Sequence, residues 1–137
     1  MYLRFKPAFH ILIANLNNGV ASRSTYTKVP YTSFNFKILE ILCRLGYIET
    51  FKLIKENGIE HFLVYFKFDV NGRQCLQRLR VIKNMDRQIS FRHRLIKDLK
   101  KGDKVFRGTW LVSTVSSILT DDEAITRNLS GIRFLLI

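Results

Sequence analysis

The sequence predicts an α+β protein of two small lobes, and three features of the chain support this class. Apolar residues recur with helical spacing in two segments before residue 46, whereas period-two alternation with Asn-Gly turns follows. A further apolar run fills residues 132–137. We therefore expect an N-terminal α/β lobe over residues 1–70, with helices covering a three-stranded sheet. A mostly β C-terminal lobe with short helices should follow over residues 71–137.

Two helices are predicted in the first lobe. Pro7 suits the first turn of a helix, and an apolar stripe follows it before Asn18-Gly19, which should end the helix. The stripe comprises Phe9, Leu12, Ile13, Leu16 and Val20. The second helix should begin near Thr32 or Ser33 and end at Gly46, and residues 21–31 between the helices should contain a short strand.

Strands are predicted after Gly46. Segments 47–54 and 62–68 are joined through Asn57-Gly58, a dipeptide typical of tight hairpin turns. Asn71-Gly72 predicts a second hairpin into a third strand over residues 74–82. Most aromatic residues of the middle strand should pack in the core, because they have little of the adjacent charge that base-stacking surfaces show. These residues are Phe62, Tyr65, Phe66 and Phe68.

The second lobe should alternate short strands with short helical turns. Strands are predicted at residues 89–91 and 109–113, and one or two helical turns at residues 95–99. Thr120, with Glu123 three residues later, has the spacing of a capping box and should open a short helix. The apolar run at residues 132–137 would promote aggregation if it were exposed, so we expect it to be a central strand of its sheet.

The chain is strongly basic, with 23 Lys and Arg against 11 Asp and Glu, for a net charge of +12. Twelve of the basic residues lie in the segment from Arg73 to Arg107, which contains only three acidic residues. So large an excess indicates a polyanionic partner, and nucleic acid is favoured over a membrane surface. No apolar run approaches the length of about 18 residues that a membrane-spanning helix needs, so we expect no membrane insertion.

Hydroxyl side chains cluster just after the strand predicted at residues 109–113. Ser113, Thr114, Ser116 and Ser117 lie between that apolar strand and the short helix expected at Thr120. Small hydroxyl groups donate and accept hydrogen bonds without bulk, which suits contacts with phosphate and ribose. We call residues 113–117 the hydroxyl corner and expect it to bind RNA.

No catalytic or metal-binding motif is present. The serines have no G-x-S-x-G frame or nearby His, and no glycine-rich phosphate loop occurs. His10, His61 and His93 lack metal-ligand spacing, while Cys43 and Cys75 are too few for a zinc site or a disulfide framework. We therefore expect no enzymatic activity, no cofactor, no metal and no small-molecule substrate.

Two groups of short motifs follow one another along the chain. The first comprises Asn18-Gly19, Pro30 and Gly46-Tyr-Ile48, and the second comprises Val112-Ser-Thr114, Thr120-Asp121 and Glu123-Ala124. In this order they resemble the first lobe and the C-terminal signature of the bacterial-type family of small-subunit ribosomal protein eight, and the resemblance extends over essentially the whole chain. The sequence departs from the family at Val115 and Ser117, where a hydroxyl residue and a glycine are usual.

The resemblance implies a primary binder of the central domain of small-subunit rRNA, needed for subunit assembly and translation, with neighbouring small-subunit proteins as further partners. It places the hydroxyl corner at the RNA, which such proteins read by shape, ribose hydroxyls and phosphates. Phosphate neutralisation is expected from the basic middle segment, at Lys83, Arg87, Arg92, Arg94 and Arg107. Asn18 and Thr32 in the first lobe complete the predicted RNA-binding residues.

Two other functions fit the same surface. A free-standing RNA-binding regulator or RNA-processing accessory factor would hold another RNA there, and a membrane-surface protein is a third alternative. Enrichment in Ile, Phe, Lys and Asn suits an A+T-rich organelle genome, and the residues before Pro7 are too few for a transit peptide. We therefore expect a divergent mitochondrial copy, with a plastid or the bacterial cytoplasm as alternative locations.

Overall fold

The chain divides into two units between Leu79 and Arg80. The computed structural model describes residues 6–81, 90–91, 109–114, 117–127, 129 and 131–137. In the first unit the elements are α1 (Pro7–Ala21), β1 (Tyr26–Pro30), α2 (Ser33–Arg44), β2 (Ile48–Glu56) and β3 (Ile59–Phe66). In the second they are β4 (Arg80–Val81), β5 (Ser90–Phe91), β6 (Trp110–Thr114), β7 (Ile118–Thr120), α3 (Asp121–Thr126) and β8 (Gly131–Leu136). Helices beside antiparallel sheets confirm the predicted α+β class.

Local sequence sets both ends of α2, as predicted. The Thr32 hydroxyl accepts a hydrogen bond from the Asn35 backbone N–H at 3.0 Å and so caps the first turn. At the other end, the backbone N–H groups of residues 46 and 47 bond to the carbonyls of residues 43 and 42 in a Schellman motif. Gly46 has a φ of 84° there, a left-handed conformation that favours glycine.

The first helix continues beyond its predicted end. α1 runs to Ala21, so the prediction that Asn18-Gly19 ends it is wrong. Gly19 is buried inside the helix, and a Cβ atom added to it would lie 2.5 Å from the Phe66 ring in β3. This glycine allows close packing of α1 on the sheet, and the helix ends only before Arg23, which has a φ of 54°.

The sheet of the first unit has three antiparallel strands in the order β1-β3-β2. Asn57 and Gly58, with φ values of 52° and 81°, form the predicted two-residue turn between β2 and β3. Both helices pack on one face of the sheet, through the Gly19 contact of α1 and the Phe36 ring of α2, whose centroid lies 5.7 Å from that of Phe51. The helix-covered three-stranded sheet is therefore confirmed.

The third strand of this sheet is β1, so the prediction of a third strand over residues 74–82 is wrong. After β3 a single bridge between Phe68 and Gln74 continues the antiparallel pairing. Residues 75–79 form no strand, and Arg80–Val81 pairs with β8 in the other sheet.

Side-chain amides explain why the chain leaves the sheet here. The Asn17 side chain in α1 donates to the Leu79 carbonyl at 3.0 Å and accepts from the Leu79 backbone N–H at 2.8 Å. The Gln74 amide donates to the Ser24 carbonyl at 2.8 Å, near the end of α1. The Asn17 bonds satisfy the Leu79 backbone groups that a strand ladder would otherwise pair, and the Gln74 bond holds the start of the segment near the end of α1.

The second unit contains a sheet in the order β4-β8-β6-β7, and β5 also pairs with β8. β8 has β6 on one side and both β4 and β5 on the other, so the predicted central strand is confirmed. The strands predicted at residues 89–91 and 109–113 are confirmed as β5 and β6. The helical turns predicted at residues 95–99 lie outside the described residues.

β6 and β8 approach each other closely at Gly131. This glycine pairs with Thr114, and a Cβ atom added to it would lie 2.3 Å from Val112 Cγ1 and 2.7 Å from the Ser113 carbonyl oxygen. Such distances leave no room for a side chain, so the spacing of the two strands requires glycine.

Gly19→Ala should destabilise the protein, even though alanine favours a helix by about 1 kcal/mol. The new methyl group overlaps the buried Phe66 ring, so we expect the free energy of unfolding to fall by about 1–3 kcal/mol in denaturant titration. Phe66→Leu makes room for that methyl group. The double variant should therefore lose less stability than the sum of the single changes, and strict additivity would contradict the contact.

Gly131→Ala should lower the free energy of unfolding by about 3 kcal/mol, because a backbone carbonyl close to the new methyl group cannot rotate away. Gly58→Ala is the matched control: its added Cβ has nothing within 4 Å, so it pays only for a left-handed conformation, about 1 kcal/mol. Equal losses for the two variants in thermal or denaturant unfolding would contradict the close approach of β6 and β8.

Candidate nucleic-acid interface

The hydroxyl corner begins at the end of β6, where buried apolar residues anchor it. Leu111 and Val112 are fully buried, whereas Ser113 and Thr114 are partly exposed. Ser113 pairs with Ile118 in β7 and with Ile132 in β8. Because β6 has a neighbouring strand on each side, the Ser113 backbone is fixed and presents its hydroxyl from a rigid support.

The Thr114 hydroxyl closes the turn between β6 and β7. It donates to the Ser117 carbonyl at 2.6 Å and accepts from the Ser117 backbone N–H at 3.1 Å. The Thr114 backbone N–H also bonds to the Ser117 carbonyl, at 3.0 Å. Thr114 therefore stabilises the hydroxyl corner through its bonds to the Ser117 backbone.

The other described hydroxyl groups of the corner differ from Thr114. No hydrogen bond joins the side chains of Ser113 or Ser117 to another residue that the structure describes. Both side chains are partly exposed, so their hydroxyl groups are accessible to a ligand. Val115 and Ser116 complete the corner in sequence but lie outside the described residues.

The short helix after the hydroxyl corner is capped as predicted. The buried Thr120 hydroxyl accepts a hydrogen bond from the Glu123 backbone N–H at 3.3 Å. Asp121 is also buried, and its Oδ1 accepts from the Asp122 backbone N–H at 3.0 Å. The carboxylates of the first turn thus face the positive end of α3, where they stabilise the helix.

Asn18 and Thr32, the predicted RNA-binding residues of the first lobe, lie in the first unit. Asn18 is exposed near the end of α1, and its carbonyl accepts from the Ser22 backbone N–H at 3.0 Å. The Thr32 hydroxyl accepts the capping bond of α2, and the residue is partly exposed. Thr32 thus has a structural role as the N-terminal cap of α2.

The basic residues predicted to neutralise phosphates lie outside the described residues. They are Lys83, Arg87, Arg92, Arg94 and Arg107. The described part of the same basic segment contains Arg73, Arg78 and Arg80, and all three are exposed. These three arginines were not among the residues predicted to bind phosphate, although their position in the basic segment could have indicated them.

The described residues include neither a metal-binding cluster nor a membrane-spanning helix. In that part of the chain, no group of three or more His, Cys, Asp or Glu side chains could hold a metal ion. None of the described helices is both long and apolar enough to cross a membrane.

Comparison with known proteins identifies the family. The family model described as ribosomal protein S8 matches residues 10–136. Small ribosomal subunit protein uS8 of Wolinella succinogenes is 28% identical over 119 residues, which cover 87% of this chain and 88% of the relative. The uS8 protein of Rickettsia typhi is 25% identical over 120 residues, covering 88% of each chain. That of Campylobacter fetus subsp. fetus is 27% identical over 119 residues, covering 87% of this chain and 88% of the relative.

The resemblance seen in the sequence motifs is thereby confirmed, because the match includes both units and the hydroxyl corner. The chain belongs to the ribosomal protein S8 family, whose members are structural proteins and not enzymes.

Proposed function

We propose that the chain is a structural constituent of the small ribosomal subunit and a primary binder of the central domain of its rRNA, needed for subunit assembly and translation. The observation that carries this proposal is the family match across residues 10–136. The bacterial relatives described above are all named as small ribosomal subunit proteins. Small-subunit rRNA and neighbouring small-subunit proteins are accordingly the expected partners.

Ser113 and Ser117 are the described hydroxyl residues best suited to contact the RNA. Double-stranded RNA presents its ribose 2′-hydroxyls and phosphates along a wide, shallow minor groove, and it is recognised largely through them. A serine hydroxyl can both donate to a phosphate oxygen and accept from a 2′-hydroxyl. Thr114 supports these contacts because its hydroxyl bonds hold the turn, and Ser116 extends the predicted contact.

The net charge of +12 supplies the attraction that these hydroxyl groups lack. Lys83, Arg87, Arg92, Arg94 and Arg107 are proposed to neutralise phosphates, while Asn18 and Thr32 add polar contacts from the first unit. Such charge contacts give affinity with little sequence preference, and the hydroxyl corner then sets the orientation of the RNA.

The proposed site of action is the mitochondrial ribosome, with a plastid or bacterial ribosome as the alternative. Enrichment in Ile, Phe, Lys and Asn supports an A+T-rich organelle genome, and identities of 24–28% to the bacterial relatives suit a divergent copy.

Ser113→Ala should weaken binding to a central-domain rRNA fragment about three- to tenfold, the value of one hydrogen bond, in a filter-binding or anisotropy titration. The variant should keep its unfolding midpoint, because the hydroxyl bonds to no other described residue. Thr126→Ala is the matched control, since it removes an exposed threonine hydroxyl that bonds within α3. Equal effects of the two variants on affinity would contradict an RNA contact at the hydroxyl corner.

Thr114→Val tests whether the Thr114 hydroxyl supports the turn or contacts the RNA itself. It removes both hydroxyl bonds to Ser117, so it should lower thermal stability as well as rRNA affinity. Reduced affinity with unchanged stability would show that the Thr114 hydroxyl acts on the RNA directly.

Affinity for the same rRNA fragment should fall steeply with salt, because neutralised phosphates release counterions. Arg92→Gln should lower the slope of log affinity against log salt concentration by about 1. Lys55→Gln, at an exposed lysine of β2 outside the basic segment, is the control and should leave the slope unchanged. An unchanged slope for Arg92→Gln would remove Arg92 from the set of phosphate contacts.

A further inference from the structure

The three-stranded sheet of the first unit has a second face, opposite the helices. Along β3, Phe62, Val64 and Phe66 are buried, whereas the alternating residues Leu63 and Tyr65 are only partly buried. Successive side chains of a strand point to opposite faces, so Leu63 and Tyr65 face away from α1 and α2. No described element of the first unit covers this face, which we call the open face.

Two tyrosines lie side by side on the open face. Tyr26 in the edge strand β1 pairs directly with Tyr65 in the central strand β3. Side chains in such a cross-strand pair stand about 5 Å apart at Cβ. The Tyr26 side chain is 54% exposed. The prediction that the aromatic residues of this strand pack mostly in the core is thus right for Phe62 and Phe66, whereas Tyr65 is only partly buried and Phe68 is 37% exposed.

Lysine side chains flank the two tyrosines. The Lys52 ammonium group lies 5.7 Å from the centroid of the Tyr65 ring, within the range of a cation–π contact. Lys52 is exposed, and it makes no ion pair with any residue that the structure describes. A positive charge is therefore available directly beside the partly exposed Tyr65 ring and its exposed neighbour Tyr26.

The Glu56 carboxylate on the open face is paired with Lys28. Lys28 Nζ lies 2.9 Å from both carboxylate oxygens of Glu56, and the two side chains are 47% and 51% exposed. The hydrogen bond and charge of Lys28 hold the pKa of the Glu56 carboxyl below its usual value. Glu56 consequently stays ionised and matched by Lys28, and Lys52 is left to interact with an external anion.

We propose that the open face binds an unpaired stretch of RNA, with bases stacked on Tyr26 and Tyr65 and a phosphate against Lys52. Every base has a π-face, so aromatic side chains beside positive charge bind single strands with little sequence preference. This inference rests on the proposed ribosomal function, which surrounds the chain with RNA. It adds a second RNA-binding surface, of a different kind from the hydroxyl corner.

The chemistry of the open face favours RNA over a protein partner. The apolar side chains there are interleaved with Lys28, Lys52 and Glu56, whereas the buried centre of a protein interface is depleted of charge. Lys28 and Glu56 form an ion pair, so the unmatched charge among these three residues is the positive charge of Lys52. It has the same sign as the net charge of the chain. Both features suit a polyanion that carries flat aromatic groups.

The test uses the full chain with Tyr26→Leu and Tyr65→Leu together, and a labelled 12-nucleotide oligouridylate as the single-stranded probe. Loss of stacking should weaken binding at least about tenfold in an anisotropy titration. Tyr31→Leu is the matched control, because Tyr31 is also exposed, at 44%, but its ring packs on Phe62 on the helix-covered side. Thermal unfolding should be similar for the tyrosine variants.

Binding to a duplex RNA hairpin distinguishes the proposed open-face site from the proposed RNA contact at the hydroxyl corner. The Tyr26 and Tyr65 double variant should bind the hairpin as the unchanged protein does, whereas Ser113→Ala should bind the hairpin less tightly and the oligouridylate equally well. Unchanged oligouridylate affinity in the tyrosine double variant would overturn the open-face proposal and leave the ribosomal function intact. Failure of the protein to co-sediment with small ribosomal subunits would overturn the ribosomal function instead.

Photocrosslinking in purified small subunits gives a second measurement. Crosslinks from Tyr26 or Tyr65 to rRNA nucleotides that are unpaired support the proposal. Crosslinks from both tyrosines to a neighbouring protein alone would overturn it, because the face would then be a protein interface.

Discussion

Backbone pairing by β8 is the interaction on which the second unit depends. Strands β4, β5 and β6 all bond to it, so segments far apart in sequence meet on one strand. The hydroxyl corner takes its position from this pairing, because β6 is held between β8 and β7. Gly131 makes the pairing possible at the end nearest the corner, where Val112 and the Ser113 carbonyl leave no space for a side chain. The corner is therefore supported by a sheet, although it lies in a turn.

Local signals account for most of the fold that the sequence predicts. The end of α2 at Gly46 and the hairpin at Asn57-Gly58 depend on the conformations of a few neighbouring residues. The two errors in the predicted helices and strands involve contacts between distant residues. Gly19 has the appearance of a helix stop, but its role is set by a ring in β3. Residues 74–82 alternate like a strand, but the Asn17 amide in α1 binds the backbone that a strand partner would need.

The candidate site shows the same division between local and distant information. The place of the hydroxyl corner, between an apolar strand and a capped helix, can be predicted because both neighbours have clear sequence patterns. The separate roles of Thr114 and Ser113 cannot, since they depend on which hydroxyl reaches the Ser117 backbone. The partial exposure of Tyr65 could not be predicted for a similar reason. Alternation of apolar and polar residues separates the two faces of a strand, but the packing of α1 and α2 decides which face is covered.

The position of β8 in its sheet has a consequence for synthesis of the protein. In the first unit, contacts join segments that are all translated before residue 80, so its sheet can close while the rest of the chain is still being made. In the second unit, β4, β5 and β6 lack their common partner until residues 131–136 have left the exit tunnel. Until that moment their strand edges and apolar side chains stay unprotected, and chaperones have their longest opportunity to bind. A chain that ends shortly before residue 131 would therefore contain residues 113–117 but lack the β8 pairing that supports them.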